Sequence, residues 1–118
     1  RYPSRQENAS GYFLSRAVMA WFAQHYIGDA RGDDWRVSPL RAGRFEGLPP
    51  ARFIVAECDP LTDDCKAYAE ALGAAGVSVA VNEFEGMIHG FFTLGKLFPK
   101  AQEAVALAGR VLGEALAR

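Results

Sequence analysis

The 118 residues have the length of one ordinary domain, and with half of them apolar and 23% charged the balance is globular rather than disordered. A formal net charge of −1 with no block of like charges argues against a nucleic-acid partner, and no apolar stretch reaches the ~20 residues of a membrane span. The opening RYPSRQENAS has no apolar segment and does not read as a signal peptide; without a leading Met, the chain is expected to continue something upstream.

In chain order, the first dozen residues are polar and predict a loop. Ser15 then predicts a helix cap, with Val18, Met19, Phe22 and Tyr26 at helical spacing and Gly28 as the stop. His25, near the end of that helix, is tolerated by the dipole and is assigned no chemistry. Residues 28–51 are rich in glycine and proline and predict a long irregular connection, a kind of segment that is usually functional or a linker. RFIVAE, residues 52–57, is nearly continuously apolar, as in a parallel strand buried on both faces.

A helix from Thr62 follows, with Cys65, Tyr68, Ala69, Leu72 and Ala75 as its apolar stripe, Asp63 and Asp64 in its first turn and Gly76 at its end. VSVAVNEF, residues 77–84, predicts a second strand with Val77, Val79 and Val81 on one face. Strand, helix and strand in this order make a βαβ unit with parallel strands. EGMIHGFF then predicts a loop. Pro99 opens a last helix to about Ala117 whose Ala104, Ala108, Val111 and Ala115 are expected to pack on the sheet. Two parallel strands want neighbours and helices on both faces. The fold class is therefore α/β, read either as the C-terminal part of a larger domain or as a small domain completed by oligomerisation.

Cys58 and Cys65 suit a reduced, cytoplasmic protein in which both pack rather than pair. No spacing suggests zinc, no glycine-rich phosphate loop is present, and no metal or cofactor is expected. Arg31–Gly32–Asp33 and the sequon Asn8–Ala9–Ser10 are short enough to arise by chance.

Ligands of open α/β sheets gather at the carboxyl ends of the strands, where AECDPLTDD and EFEGMIHGF begin. Adjacent parallel strands lie about 5 Å apart, so Asp59 and His89 are able to meet. Asp59 accepting from His89 Nδ1 leaves Nε2 as a general base. Met87 and Ile88 are expected to shield the pair, and Gly86 and Gly90 let the histidine loop bend. The plainer readings are a turn-forming or capping aspartate and a histidine satisfied in the core. Asp63 and Asp64 read as helix-terminus charges rather than metal ligands.

The order DPLTDD, AYAEAL, GV, a strand and EGMIHGF resembles the tail of the hormone-sensitive-lipase group of α/β-hydrolases, bacterial carboxylesterases and their relatives. WRVSPLRA and GLPPA resemble that family's approach to the acid strand, and MAWFAQHY resembles a helix of its cap. The resemblance implies the C-terminal portion of an α/β-hydrolase fold: residues 1–50 as cap-related helix and connection, and 51–118 as the βαβα part of the core. It implies Asp59 as triad acid, His89 as triad base, Leu61 and Ile88 beside the acyl pocket, and Met19 and Phe22 reaching it from the cap, where their other role is packing.

The family's G-D-S-A-G elbow and H-G-G-G stretch are absent from these 118 residues, and no serine has the G-x-S-x-G frame. Cys58 is a poor substitute, flanked by two acids and lacking a glycine elbow. The expected activity is hydrolysis of small ester substrates by a serine supplied from the missing N-terminal half, with this chain inactive alone. The rival reading is a non-catalytic module, and in either case strand 77–84 is the expected homodimer edge.

Overall fold

A computed structural model describes residues 2–27 and 34–117. Within them, α1 (Ser4–Glu7), α2 (Arg16–Ile27), β1 (Ala51–Cys58), α3 (Thr62–Ala74), β2 (Val79–Ile88) and α4 (Pro99–Leu116) follow in order, with 3-10 turns at Pro39–Arg41 and Phe91–Thr93. Gly28 and the Arg31–Gly32–Asp33 tripeptide lie outside the described residues. The predicted opening loop is corrected: it contains the short helix α1. Ser15 caps α2 as expected, its Oγ accepting from the Val18 amide at 3.3 Å.

The two strands pair in parallel, with Ala51 opposite Val79 and Ala56 opposite Phe84. Alternation along β1 sends successive side chains to opposite faces. Ile54 and Ala56 pack with Phe84, Met87, Phe91 and Phe98 against Ala101 and Ala104 of α4. On the other face, Phe53 meets Tyr68 of α3 edge-on at 5.9 Å. One helix therefore covers each face, which is why β1 is apolar almost throughout. The contact with α4 is close because both alanines are fully buried and let the helix approach the sheet. Of the four residues expected to face the sheet from α4, Ala104 is buried, Ala108 and Val111 are half-buried, and Ala115 is exposed because the helix has by then run past the two strands.

Strand β2 differs from its predicted bounds at both ends. It starts at Val79 rather than Val77 because the Val77 amide is already committed to closing α3, donating to Leu72 O at 3.0 Å after Gly76 turns with φ +81°. It then continues through the first half of the predicted loop, to Ile88. Between the Ala56–Phe84 and Cys58–Ile88 pairs, β1 advances two residues while β2 advances four. Glu85 and Gly86 form this bulge. Gly86 has φ +73°, and its amide donates to Glu57 Oε2 at 2.7 Å. With an uninterrupted register Asp59 would face Met87, and His89 would lie two residues, about 6–7 Å, further along. The bulge brings Asp59 and His89 abreast.

Candidate active site

The acid turn is built locally. Asp59 Oδ1 accepts from the Leu61 amide at 2.9 Å, and Asp59 O accepts from the Thr62 amide at 3.2 Å. Pro60, fully buried, has no amide to compete, and the Thr62 hydroxyl donates back to Ala56 O. With Oδ1 so engaged, Oδ2 faces the end of β2, where it lies 2.8 Å from His89 Nδ1. An ionised carboxylate only accepts, so Nδ1 donates, and the neutral ring presents Nε2 as an acceptor. Gly90, with φ +76°, turns the chain immediately afterwards and lets Phe91 fold into the core.

The Asp59 side chain is 12% exposed and that of His89 is 37% exposed. The carboxylate is thus shielded while the imidazole reaches the surface, as a base meeting a substrate requires. Met87, half-buried, packs against the core cluster that includes Ala101 and Ala104 of α4. Cys58 and Cys65 are free thiols; burial, with Asp59 and Asp64 nearby, pushes the Cys65 thiol up, so that sulfur is not poised as a nucleophile. His25 stacks on Trp21 at the exposed side of α2, its Nδ1 2.8 Å from Trp21 O. Among the described residues no three His, Cys, Asp or Glu side chains gather as a metal ion would need, and no helix is long and apolar enough to cross a membrane.

The profile of a family described as alpha/beta hydrolase fold matches residues 1–93. An ethyl acetate hydrolase of Pseudomonas putida is 37% identical over 98% of this chain and 37% of its own length. The hormone-sensitive lipase of Ictidomys tridecemlineatus is 33% identical over 60% of this chain and 10% of its own. A crystal structure of an alpha/beta hydrolase enzyme from the metagenome of Lake Arreo superposes with a TM-score of 0.93 at 41% identity, covering 99% of this chain and 37% of that one. The chain belongs to the hormone-sensitive-lipase type of the α/β-hydrolase-fold family. It spans little more than a third of the length of the first relatives, 37% in each case.

Within this α/β-hydrolase segment the four expected pocket residues are dispersed. Leu61 lines a cavity of about 460 Å³ between the acid turn, α3 and the Pro39–Arg41 turn. Met19 lines a second, of about 420 Å³, against α2, and the two cavities share Tyr2 and Arg5. Neither cavity is lined by Asp59, His89, Phe22 or Ile88. Phe22 is 56% exposed, and Ile88 is half-buried opposite Cys58.

Asp63 and Asp64 do more than complement the helix dipole. Asp63 Oδ2 accepts from the Ser4 amide at 2.8 Å, and Asp64 forms a two-pronged pair with Arg5 at 2.7 and 2.8 Å. Glu57, Ser4 and Asn8 are the residues sequence reasoning missed. Glu57 carried a signal, being the lone acid of an otherwise apolar strand end; Ser4 and Asn8 carried none, because their partners lie about half the chain away.

Proposed function

We propose that this chain carries the acid and base of a Ser-His-Asp carboxylic-ester hydrolase, with Asp59 and His89 in those roles. The nucleophile and oxyanion donors would come from chain outside these 118 residues, with residues 1–50 belonging to the cap and 51–118 to the core. The observation that carries the reading is the 2.8 Å contact of His89 Nδ1 with Asp59 Oδ2 at the carboxyl ends of adjacent parallel strands. His89 Nε2 takes the proton of the serine as it attacks the ester carbonyl, then returns it to the leaving alcohol. Asp59 holds the tautomer and offsets the imidazolium charge. Water repeats the cycle on the acyl-enzyme.

The relatives' activity supports a small ester as substrate, and Leu61, Ile88, Met19 and Phe22 are proposed to contribute to the surfaces that meet it. β2 meets β1 along one edge, and along its other edge no strand lies among the described residues. We propose that in the intact protein residues 77–84 pair with a second copy along that side.

The test is hydrolysis of p-nitrophenyl esters of two to eight acyl carbons, chosen as about the span of short and medium chains. The full-length protein containing this sequence is expected to turn them over, whereas the 118-residue chain alone is not. A full-length protein inert toward every ester would remove the proposal.

A further inference from the structure

The acid turn is also held from outside its own element. Ser4, 5% exposed, donates its hydroxyl to Pro60 O at 3.1 Å and accepts from the Asp63 amide at 3.3 Å, while its own amide donates to Asp63 Oδ2 at 2.8 Å. Asn8 Nδ2 faces Asp59 O at 3.3 Å and Glu57 O at 3.5 Å. Both partners of Asn8 are carbonyls, which fixes the nitrogen of the carboxamide toward them. The three carbonyls lie at and beyond the carboxyl end of β1, where the chain leaves the sheet. Two residues, Ser4 of α1 and Asn8 just after it, thus engage the backbone of residues 57, 59, 60 and 63 from 49 to 59 positions away in sequence.

We propose that Ser4 and Asn8 are positioning residues that set the direction of the Asp59 carboxylate toward His89. The proposal rests on the reading of that pair as the triad acid and base. Within the turn, Asp59 has one local side-chain bond, from the Leu61 amide to Oδ1, while Oδ2 faces His89. The backbone of the turn is held in addition by Ser4 and by Asn8. The Arg16 amide donates to Ala9 O at 2.9 Å, which ties the start of α2 to the same segment. A displacement of α2 therefore reaches the acid through Asn8 and Ser4. The inward engagement of Asn8 Nδ2 also leaves the Asn8–Ala9–Ser10 sequon without a free amide to modify.

The test uses the full-length protein with Ser4→Ala and Asn8→Leu, each of which deletes the contact but keeps the backbone. Three quantities are read: kcat and KM for p-nitrophenyl acetate, the downfield imidazole Nδ1 proton of His89, assigned by its loss in His89→Ala, and thermal unfolding. A reaction geometry loosened by a fraction of an ångström predicts kcat lowered about 10-fold or more with KM within about two-fold. The Nδ1 proton signal should broaden or vanish while unfolding remains cooperative. Asn8→Gln, which retains the donor, should recover part of both readouts. Unchanged kcat and an intact signal in both variants would overturn the proposal, as would a kcat loss with the signal intact. Should Ser4→Ala fail to fold, half-buried Asn8 decides alone. Should the unaltered protein hydrolyse no ester, the esterase reading fails and the proton signal still decides the clamp.

Discussion

Asp59→Asn in the full-length protein is expected to lower kcat for a p-nitrophenyl ester by about 10⁴-fold with little change in fold, and His89→Ala by a similar factor. The aspartate variant is the more informative. Asparagine is nearly the same size, so the turn keeps its shape and the Leu61 amide, 2.9 Å from Oδ1, still needs an acceptor there. The carboxamide must then turn its oxygen to Leu61 and its nitrogen to His89. A nitrogen donor facing Nδ1 forces the ring proton onto Nε2, and the base is lost through the wrong tautomer. His89→Ala removes the base itself, and Asp59, 12% exposed, keeps its Leu61 contact and some access to water. Steady-state kinetics beside circular dichroism separates loss of chemistry from loss of fold. Near-normal turnover by either variant would withdraw the assignment.

Gly86→Val carries the second large effect, and here stability and activity should part company. A Cβ at Gly86 meets nothing within 4 Å, so no steric clash is expected. The cost lies in the backbone: φ is +73°, a conformation that disfavours L side chains by about 1–2 kcal/mol and β-branched ones most. Escape from that strain means flattening the bulge. A flattened bulge surrenders the 2.7 Å bond from the Gly86 amide to Glu57 Oε2 and slides His89 along the sheet relative to Asp59. The thermal midpoint should fall by only a few degrees. Turnover should fall by about 10²-fold, the size of effect that a misplacement near 1 Å produces. Gly86→Ala should lie between Val and the unaltered protein in both respects. A Gly86→Val protein with full activity would show that the bulge does not set the alignment.

These expectations show where sequence reasoning succeeded. β1, α2, α3 and α4 were legible because each carries its own punctuation: Ser15 before α2, Gly76 after α3, Pro99 opening α4, and a nearly unbroken apolar run in β1. That Asp59 and His89 lie close was legible because two parallel strands place their carboxyl ends side by side; their final alignment depends on the bulge. The bulge was not. EGMIHG contains two glycines, which suggest a loop, and nothing local says that Met87 and Ile88 rejoin the ladder after Gly86 has left it. Met87, expected on a loop, lies instead in β2 and packs on the core cluster that includes Ala101 and Ala104. Ser4 and Asn8 were beyond reach for a different reason. A hydrogen bond from a polar side chain to a carbonyl about fifty residues away leaves no periodicity behind. The dispersal of Leu61, Met19, Phe22 and Ile88 follows from chain length, since a pocket built by the whole enzyme is only partly walled by a segment covering 37% of its relatives.

Structure determination of the full-length protein after reaction with a phosphonate ester addresses the catalytic role of the pair most directly. The phosphonyl group is expected on a serine outside residues 1–118, with His89 Nε2 within about 3.2 Å of the modified Oγ and Asp59 still bonded to Nδ1. Covalent attachment to any other residue type, or a modified serine out of reach of His89, would contradict it.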